Sequence, residues 1–317
     1  MCCLFGILNY SGMKNPAIDK LVNYLAQEST IRGMDSTGIA YNKNGKLKIY
    51  KKAKNAYEMD FKGLERCVVV TGHTRHATQG SAEKNYNNHP FFGNCENARF
   101  ALSHNGVIWN DSIIRKNYGL PENRIETDSY IAVQLLEHFQ ELTVENVASM
   151  AEIVQGSYTF TIADNTDKLW IIKGDNPMSI IHFPQWELYV YASTKSILFT
   201  ALCRTDFVDD IESGDFEMLN LRNGDIVQID KHGNVSFDRF NFCGDDWWKY
   251  DWKTWNNPAT DTNDSVQSYW EDDYESQYLD EIKSVARWAG IDDSVIDELY
   301  GNGFTLEELE DFIYSYK

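Results

Sequence analysis

The 317-residue sequence predicts an α+β fold of two packed antiparallel sheets flanked by helices. Three observations carry this expectation. Strand-like runs crowd both ends of residues 1–240, while helical periodicity occupies the middle. Strands and helices do not alternate one for one, as a parallel βαβ sheet requires. Asn44-Gly45 is a strong hairpin signal of the kind that joins antiparallel neighbours.

Residues 2–9 read as a short apolar strand. Asn15-Pro16 opens a helix, with Asn15 suited to the N-cap and Pro16 to the first turn, and Ile18, Leu21, Val22 and Leu25 mark its buried face. That helix is expected to end near Gly33, where residues 32–38 form a polar turn entering a strand. The hairpin pairs Ile39–Tyr41 with Leu47–Lys51. A strand over 66–71 leads into a polar motif at 72–80, and a polar loop holds His89-Pro90-Phe91-Phe92. Another strand, Phe100–Ser103, runs into His104-Asn105-Gly106, where Asn-Gly suggests a turn. Helices are expected from Thr127-Asp128 through His138 and over 144–154, then five or six strands to about 238 with a short helix near 195–202.

Composition changes after residue 243. Of the net charge of −19, the stretch from Gly244 onward carries −14, from 19 acidic and 5 basic residues. Six of the nine tryptophans also lie beyond residue 246. We read three regions: a main domain over 1–243, an acidic, Trp-rich linker over 244–274, and a small C-terminal helical appendage over 275–317. In the appendage Leu279, Ile282, Val285, Ala286 and Ala289 form one apolar face, and Val295, Ile296 and Leu299 a second. Thr305 and Glu308 make a capping box before Leu306, Leu309, Phe312 and Ile313. The acidic balance argues against non-specific nucleic-acid binding and against anionic membranes. No run approaches the roughly 20 apolar residues of a membrane span, and no secretory signal is evident. Six scattered cysteines without a C-x-x-C point to a reduced, cytoplasmic protein.

Cys2 stands directly after the initiator methionine. Once Met1 is removed, one residue carries both a thiol, with a reference pKa of about 8.5, and an α-amine of about 7.7–8.0. That amine can take the thiol proton, a known mode of activating a nucleophile. The alternative is a small buried residue of the first strand. Further along stand Arg32-Gly33-Met34-Asp35-Ser36-Thr37-Gly38, then Gly72-His73-Thr74-Arg75-His76-Ala77-Thr78-Gln79-Gly80. His89-Pro90, His104-Asn105-Gly106 and Thr127-Asp128 follow.

In this order and spacing, the six pieces anchored on Cys2 resemble the class II glutamine amidotransferase domain of the N-terminal-nucleophile (Ntn) hydrolases, over about residues 1–240. The resemblance implies a four-layer αββα sandwich of two antiparallel sheets, and glutaminase chemistry that needs neither cofactor nor metal. Attack by the Cys2 thiolate on the glutamine side-chain amide develops an oxyanion, which Asn105 (side-chain NH₂) and Gly106 (backbone N–H) are placed to stabilise. The substrate's α-carboxylate calls for a guanidinium fork and its α-ammonium for an anion. Arg75 and Asp128 are the candidates, although Asp128 could equally be a helix cap. By resemblance, His76, Thr78 and Gln79 help close the glutamine pocket, and Arg32 with Asp35 forms a loop-fixing ion pair of structural character. Two residues depart from the family pattern: Cys3 stands where glycine is common after the nucleophile, and His76 where a large aromatic usually follows the arginine. The rival reading of His73, His76, His89 and His104 is zinc binding. His73 and His76 would face opposite sides of a strand, and no acidic residue has a ligand-like spacing.

The implied reaction converts glutamine and water into glutamate and ammonia through a γ-glutamyl thioester. The family usually delivers that ammonia to a synthase, and residues 244–317 are too short to supply one. A separate synthase partner is therefore expected. The alternatives are a stand-alone γ-glutamyl amide hydrolase and a non-catalytic scaffold presenting its acidic tail.

Overall fold

The computed structural model describes residues 2–43 and 45–242, and beyond them residues 279, 282, 283, 286, 291–302, 304, 306, 309, 312 and 313. Met1, Asn44 of the expected hairpin, the 244–274 linker with its tryptophans, and the Thr305–Glu308 capping box lie outside the described residues. The chain divides into two compact units, Met1–Tyr250 and Asp251–Lys317.

Thirteen strands of the first unit form two antiparallel sheets among the described residues. The seven-stranded sheet contains β1 (Cys3–Asn9), β2 (Ser36–Lys43), β3 (Lys46–Lys52), β4 (Val69–Arg75), β9 (Ser179–Phe183), β10 (Leu188–Ala192) and β11 (Glu217–Leu219). Its order is β11-β9-β10-β1-β4-β2-β3. The six-stranded sheet contains β5 (Phe91–Asn94), β6 (Arg99–Ile108), β7 (Gly156–Asp164), β8 (Leu169–Lys173), β12 (Asp225–Ile229) and β13 (Val235–Arg239), in the order β13-β12-β8-β7-β6-β5. The helices are α1 (Ala17–Glu28), α2 (Asp111–Asn117), α3 (Tyr130–Phe139), α4 (Val144–Ile153), α5 (Lys195–Cys203) and α6 (Val208–Ser213).

Strand alternation sorts side chains into three apolar layers. On β1, Cys3, Phe5 and Ile7 point one way and pack with Ile18, Leu21, Val22 and Leu25 of α1 and with Leu198 and Leu202 of α5. Leu4 and Leu8 point the other way, into a cluster with Ile171 of β8 and Val227 and Ile229 of β12. The opposite face of the second sheet, including Phe100, Leu102, Phe160 and Ile162, packs on α3 and α4 through Leu135, Leu136, Val147 and Met150. A polar contact also crosses between the sheets: Thr71 of β4 meets Thr161 of β7 at 3.1 Å, and within the first sheet the Tyr191 hydroxyl of β10 donates to the same Thr71 at 2.8 Å.

Several strands run further than the sequence marked. β4 continues through Gly72-His73-Thr74-Arg75, because that segment pairs on one side with β1 (Cys3↔Thr74) and on the other with β2 (Ser36↔Arg75). For the same reason Ser36–Gly38 belongs to β2 and not to a turn. Asn105-Gly106 is likewise no turn: β6 runs on to Ile108, with Asn105 opposite Thr159 and Gly106 opposite Tyr158 of β7. Strand β5 and the short helices α2 and α6 were not anticipated. Pro16, not Asn15, occupies the N-cap of α1, but the Asn15 side chain still accepts from the Ala17 N–H at 3.0 Å.

In the second unit, helix α7 (Asp293–Gly301) is capped by Asp292, whose carboxylate accepts from the Ser294 N–H at 3.0 Å. Ile282, Ala286, Ile291, Ile296, Leu309 and Ile313 form one buried cluster. Val295, expected on the apolar face, is exposed.

Candidate active site

The N-terminal end of β1 lies beside the C-terminal end of β4, which places Cys2 next to Arg75 and the loop that follows it. The Cys2 thiol, partly exposed, donates to the carbonyl of His76 at 3.5 Å. Arg32 Nε donates to the Cys2 carbonyl at 3.2 Å. Cys3 turns inward, fully buried against the α1 and α5 layer. Glycine is therefore not required after Cys2, since the core accommodates a small apolar side chain there.

The turn at 32–35 is pressed onto Arg75. A Cβ on Gly33 would sit 2.6 Å from the Arg75 carbonyl carbon, so only glycine fits so close to that backbone. The Asp35 N–H donates to the Arg75 carbonyl at 2.9 Å, and the Asp35 carboxylate accepts from the Ala77 N–H at 2.8 Å. The expected Arg32–Asp35 ion pair is not among the ion pairs of the described residues. Each side chain instead fixes a different part of the site, Arg32 the start of β1 and Asp35 the turn after β4. His76 is exposed, with Nδ1 3.8 Å from Asp35.

The buried Arg75 guanidinium is held in a fixed orientation. Nη1 donates to Asn88 Oδ1 at 2.9 Å, while Nη2 donates to the carbonyls of Gln79 and Gly80, the latter at 3.0 Å. These bonds use three of its five N–H groups and leave Nε–H and one Nη1–H. The Thr78 and Gln79 side chains are exposed on the same loop. Asn88 is itself fixed, donating to the Ala82 carbonyl at 2.7 Å. Its neighbour Asn87 bonds Glu126 at 2.8 Å, which ties the loop to the segment before α3.

Asp128 ends that segment, 4% exposed. Its Oδ2 accepts from the Ile108 N–H of β6 at 2.6 Å, and Oδ1 accepts from the Ser129 hydroxyl at 3.3 Å. The carboxylate is thus bonded to β6 and to Ser129, and the N-cap of α3 has no side-chain bond. Asn105, 1% exposed, has no hydrogen-bond partner at Nδ2. Gly106 takes φ +137°, and a Cβ there would lie 1.9 Å from the Ser157 carbonyl oxygen.

Behind Asn105 three imidazoles pack together. His73 bonds the His104 carbonyl through Nε2 at 2.9 Å, its ring centroid is 4.2 Å from that of His89, and His104 Nδ1 meets the Ser129 hydroxyl at 2.8 Å. Burial pushes the imidazolium form away, lowering His73 to about 3 and His104 to about 4. His76 is not part of this group, because it follows the end of β4 and points to solvent. No group of three or more His, Cys, Asp or Glu side chains among the described residues has metal-holding geometry.

The electrostatics tie the two halves of the site together. Burial pushes the Cys2 thiol pKa up, the Arg75 charge opposes that rise and Asp128 adds to it. Burial lowers the pKa of Arg75, opposed by Cys2, Asp128 and Asp35. Thiol, guanidinium and carboxylate therefore act on one another electrostatically. Sequence reasoning missed Asn88, which orients Arg75, and Ser129, which links Asp128 to His104. The Asn85–Asn88 run just before His89-Pro90 offered a weak signal for the first.

No family model matches the chain. Among curated proteins it is similar to glutamine–fructose-6-phosphate aminotransferase (isomerizing) of Streptococcus agalactiae serotype III, strain NEM316. Identity is 32% over 189 residues, covering 57% of this chain and 30% of that protein. The enzyme of the same name from Staphylococcus aureus strain Mu50 is 28% identical over 249 residues, covering 74% and 38%. The chain thus spans about a third of the length of these relatives. Among solved structures, glutamine phosphoribosylpyrophosphate amidotransferase from B. subtilis superposes with a TM-score of 0.59 at 22% identity, over 76% of this chain and 49% of that one. The fold and these sequence similarities together show that the chain contains a glutamine amidotransferase-related domain.

Proposed function

We propose that this domain is a class II, N-terminal-nucleophile glutaminase that releases ammonia for a separate synthase. The single observation that carries the reading is the unpaired Asn105 amide. A buried donor without a partner costs about 1–3 kcal/mol in the resting fold. An oxyanion forming beside Gly106 is the partner that such a donor awaits. The three apolar layers support the four-layer αββα arrangement implied by the resemblance.

The reaction begins with glutamine held through its α-carboxylate at the free N–H groups of Arg75 and through its α-ammonium at Asp128. With Met1 removed, the Cys2 amine takes the thiol proton. The thiolate forms a C–S bond with the amide carbon, and the carbonyl electron pair moves onto oxygen, where Asn105 Nδ2–H and Gly106 N–H receive it. Collapse breaks the C–N bond, and the leaving nitrogen departs as ammonia with the proton from the Cys2 ammonium. A γ-glutamyl thioester remains. Water, deprotonated by the same amine, attacks it, and glutamate leaves as the thiol is regenerated. His76, Thr78 and Gln79 close the pocket over the substrate. We place the domain in the reduced cytosol, where free thiols persist, and the residues after 243 serve the partner synthase and not the chemistry.

The test is ammonia release from glutamine by wild type, Cys2→Ala and Cys2→Ser. Wild type alone should turn over at full rate. Equal activity in Cys2→Ala would remove Cys2 from the mechanism.

A further inference from the structure

Lys51 lies on β3, an edge strand of the seven-stranded sheet. Its cross-strand partner on β2 is Gly38. A Cβ at Gly38 would lie 2.2 Å from the His89 carbonyl oxygen and 3.1 Å from Pro90 Cδ, so the missing side chain lets the His89-Pro90 segment lie directly on the sheet. Lys51 reaches over that segment. Its ammonium donates to the carbonyl of Asn88 and to that of Pro90, the latter at 2.9 Å, so it clamps the backbone on both sides of His89. Nζ also stands 4.8 Å from the Phe91 ring centroid, a cation–π contact. The loop is fastened a second time by the Asn85 side chain, which donates to the Lys51 carbonyl at 2.9 Å.

The clamped residue, Asn88, is the one whose side chain orients Arg75. We infer that Lys51 is a positioning residue for glutamine binding: by fixing the Asn88–Pro90 backbone it fixes the Arg75 guanidinium, whose remaining N–H groups take the substrate's α-carboxylate. The inference deepens the glutaminase reading and rests on it for the identity of the substrate. The titratable and charged groups acting around Lys51 are Arg75 and His73 of β4 and His89 of the clamped loop. Burial, then the positive charge of Arg75, lowers Lys51 to about 8. Below that pH the side chain is an ammonium making charge-assisted bonds to both carbonyls. Above it the bonds are those of a neutral amine and weaken. Arg75 should therefore loosen, and KM rise, as pH passes through the slightly alkaline range.

Lys51→Met and Lys51→Arg test this with two readouts. In Lys51→Met, KM for glutamine should rise about tenfold with kcat within about twofold, the pattern of lost ground-state binding. Lys51→Arg keeps its charge at any accessible pH, so its KM should rise less than that of wild type between pH 7 and 9.5. The comparison also cancels deprotonation of the substrate's own ammonium. Independently of activity, amide hydrogen exchange across residues 79–90 should be faster in Lys51→Met than in wild type. Unchanged KM and unchanged exchange in Lys51→Met, or parallel pH profiles for wild type and Lys51→Arg, would overturn the inference. If Lys51→Met does not fold, the Lys51→Arg profile still decides. Wild type that fails to hydrolyse glutamine would instead sink the glutaminase reading, and exchange at 79–90 would still report on the clamp.

Discussion

Replacing Asn105 by alanine should separate activity from stability. The Asn105 side chain is buried and its Nδ2 makes no hydrogen bond. Truncation therefore breaks no donor bond in the resting protein. It removes the penalty of an unpaired buried amide, about 1–3 kcal/mol, while losing packing of comparable size. Stability should stay within about 1 kcal/mol of wild type, which for a domain of this size is a change in Tm of no more than about 4 °C. Catalysis should fall much further. Loss of one oxyanion donor costs roughly 2.7–4 kcal/mol in the transition state, a drop in kcat of about 10²–10³ with little change in KM. Steady-state ammonia release and a thermal melt on the same preparation measure both quantities. Wild-type kcat in the variant, or a kcat loss that merely tracks a melted fraction, would refute the assignment of Asn105 to the oxyanion.

At the next residue the opposite behaviour is expected. Gly106→Ala must place a Cβ 1.9 Å from a backbone oxygen at φ +137°, so Tm should fall by about 6 °C or more. Gly119→Ala is the control, because at φ +60° with nothing within 4 Å it costs only about 1 kcal/mol of backbone strain. Arg75→Lys should raise KM for glutamine at least about tenfold, since a point charge cannot replace a planar guanidinium already oriented by Asn88 and the Gln79 and Gly80 carbonyls. Acid should destabilise the fold through the buried imidazoles. Above the unfolded pKa of about 6.5, His73 and His104 are neutral in both states. As pH falls below that value the unfolded chain takes up protons first, and stability is lost progressively down to the folded values of about 4 and about 3. Tm should already drop between pH 6.5 and 5, above most carboxylate titration, and a flat Tm across that window would contradict the burial account.

The first strand could be read in advance because its apolar run over residues 2–9 is a local signal. The division of Cys3, Phe5 and Ile7 from Leu4 and Leu8 between two layers appears only in the fold, since both faces of β1 are buried. The polar ends of β4 and β6 were not legible as strand. His73, Thr74, Arg75, His104 and Asn105 are buried by long-range partners, such as the Ser29 carbonyl that accepts from Thr74 and the His104 carbonyl that meets His73. Propensity scores such residues as loop because the bonds that satisfy them lie far away in sequence. The same distance hid Lys51, which looks like one of several surface lysines on a hairpin until the loop 37 residues onward folds over it. Asp128 is the converse case. Local rules offer it to the helix it precedes, but it bonds the Ile108 N–H 20 residues earlier. The site motifs themselves were legible as residue types, and what the sequence withheld was the set of side chains that orient them.

The central claim is that Cys2, freed of Met1, is the nucleophile. An electrophilic glutamine analogue incubated with active protein, followed by intact-mass measurement and peptide mapping, tests it most directly. The account predicts one adduct per chain, on Cys2 of a chain lacking Met1, formed in step with loss of glutaminase activity and slowed by glutamine. An adduct confined to Cys3 or Cys203, or full activity in protein that retains Met1, would contradict it.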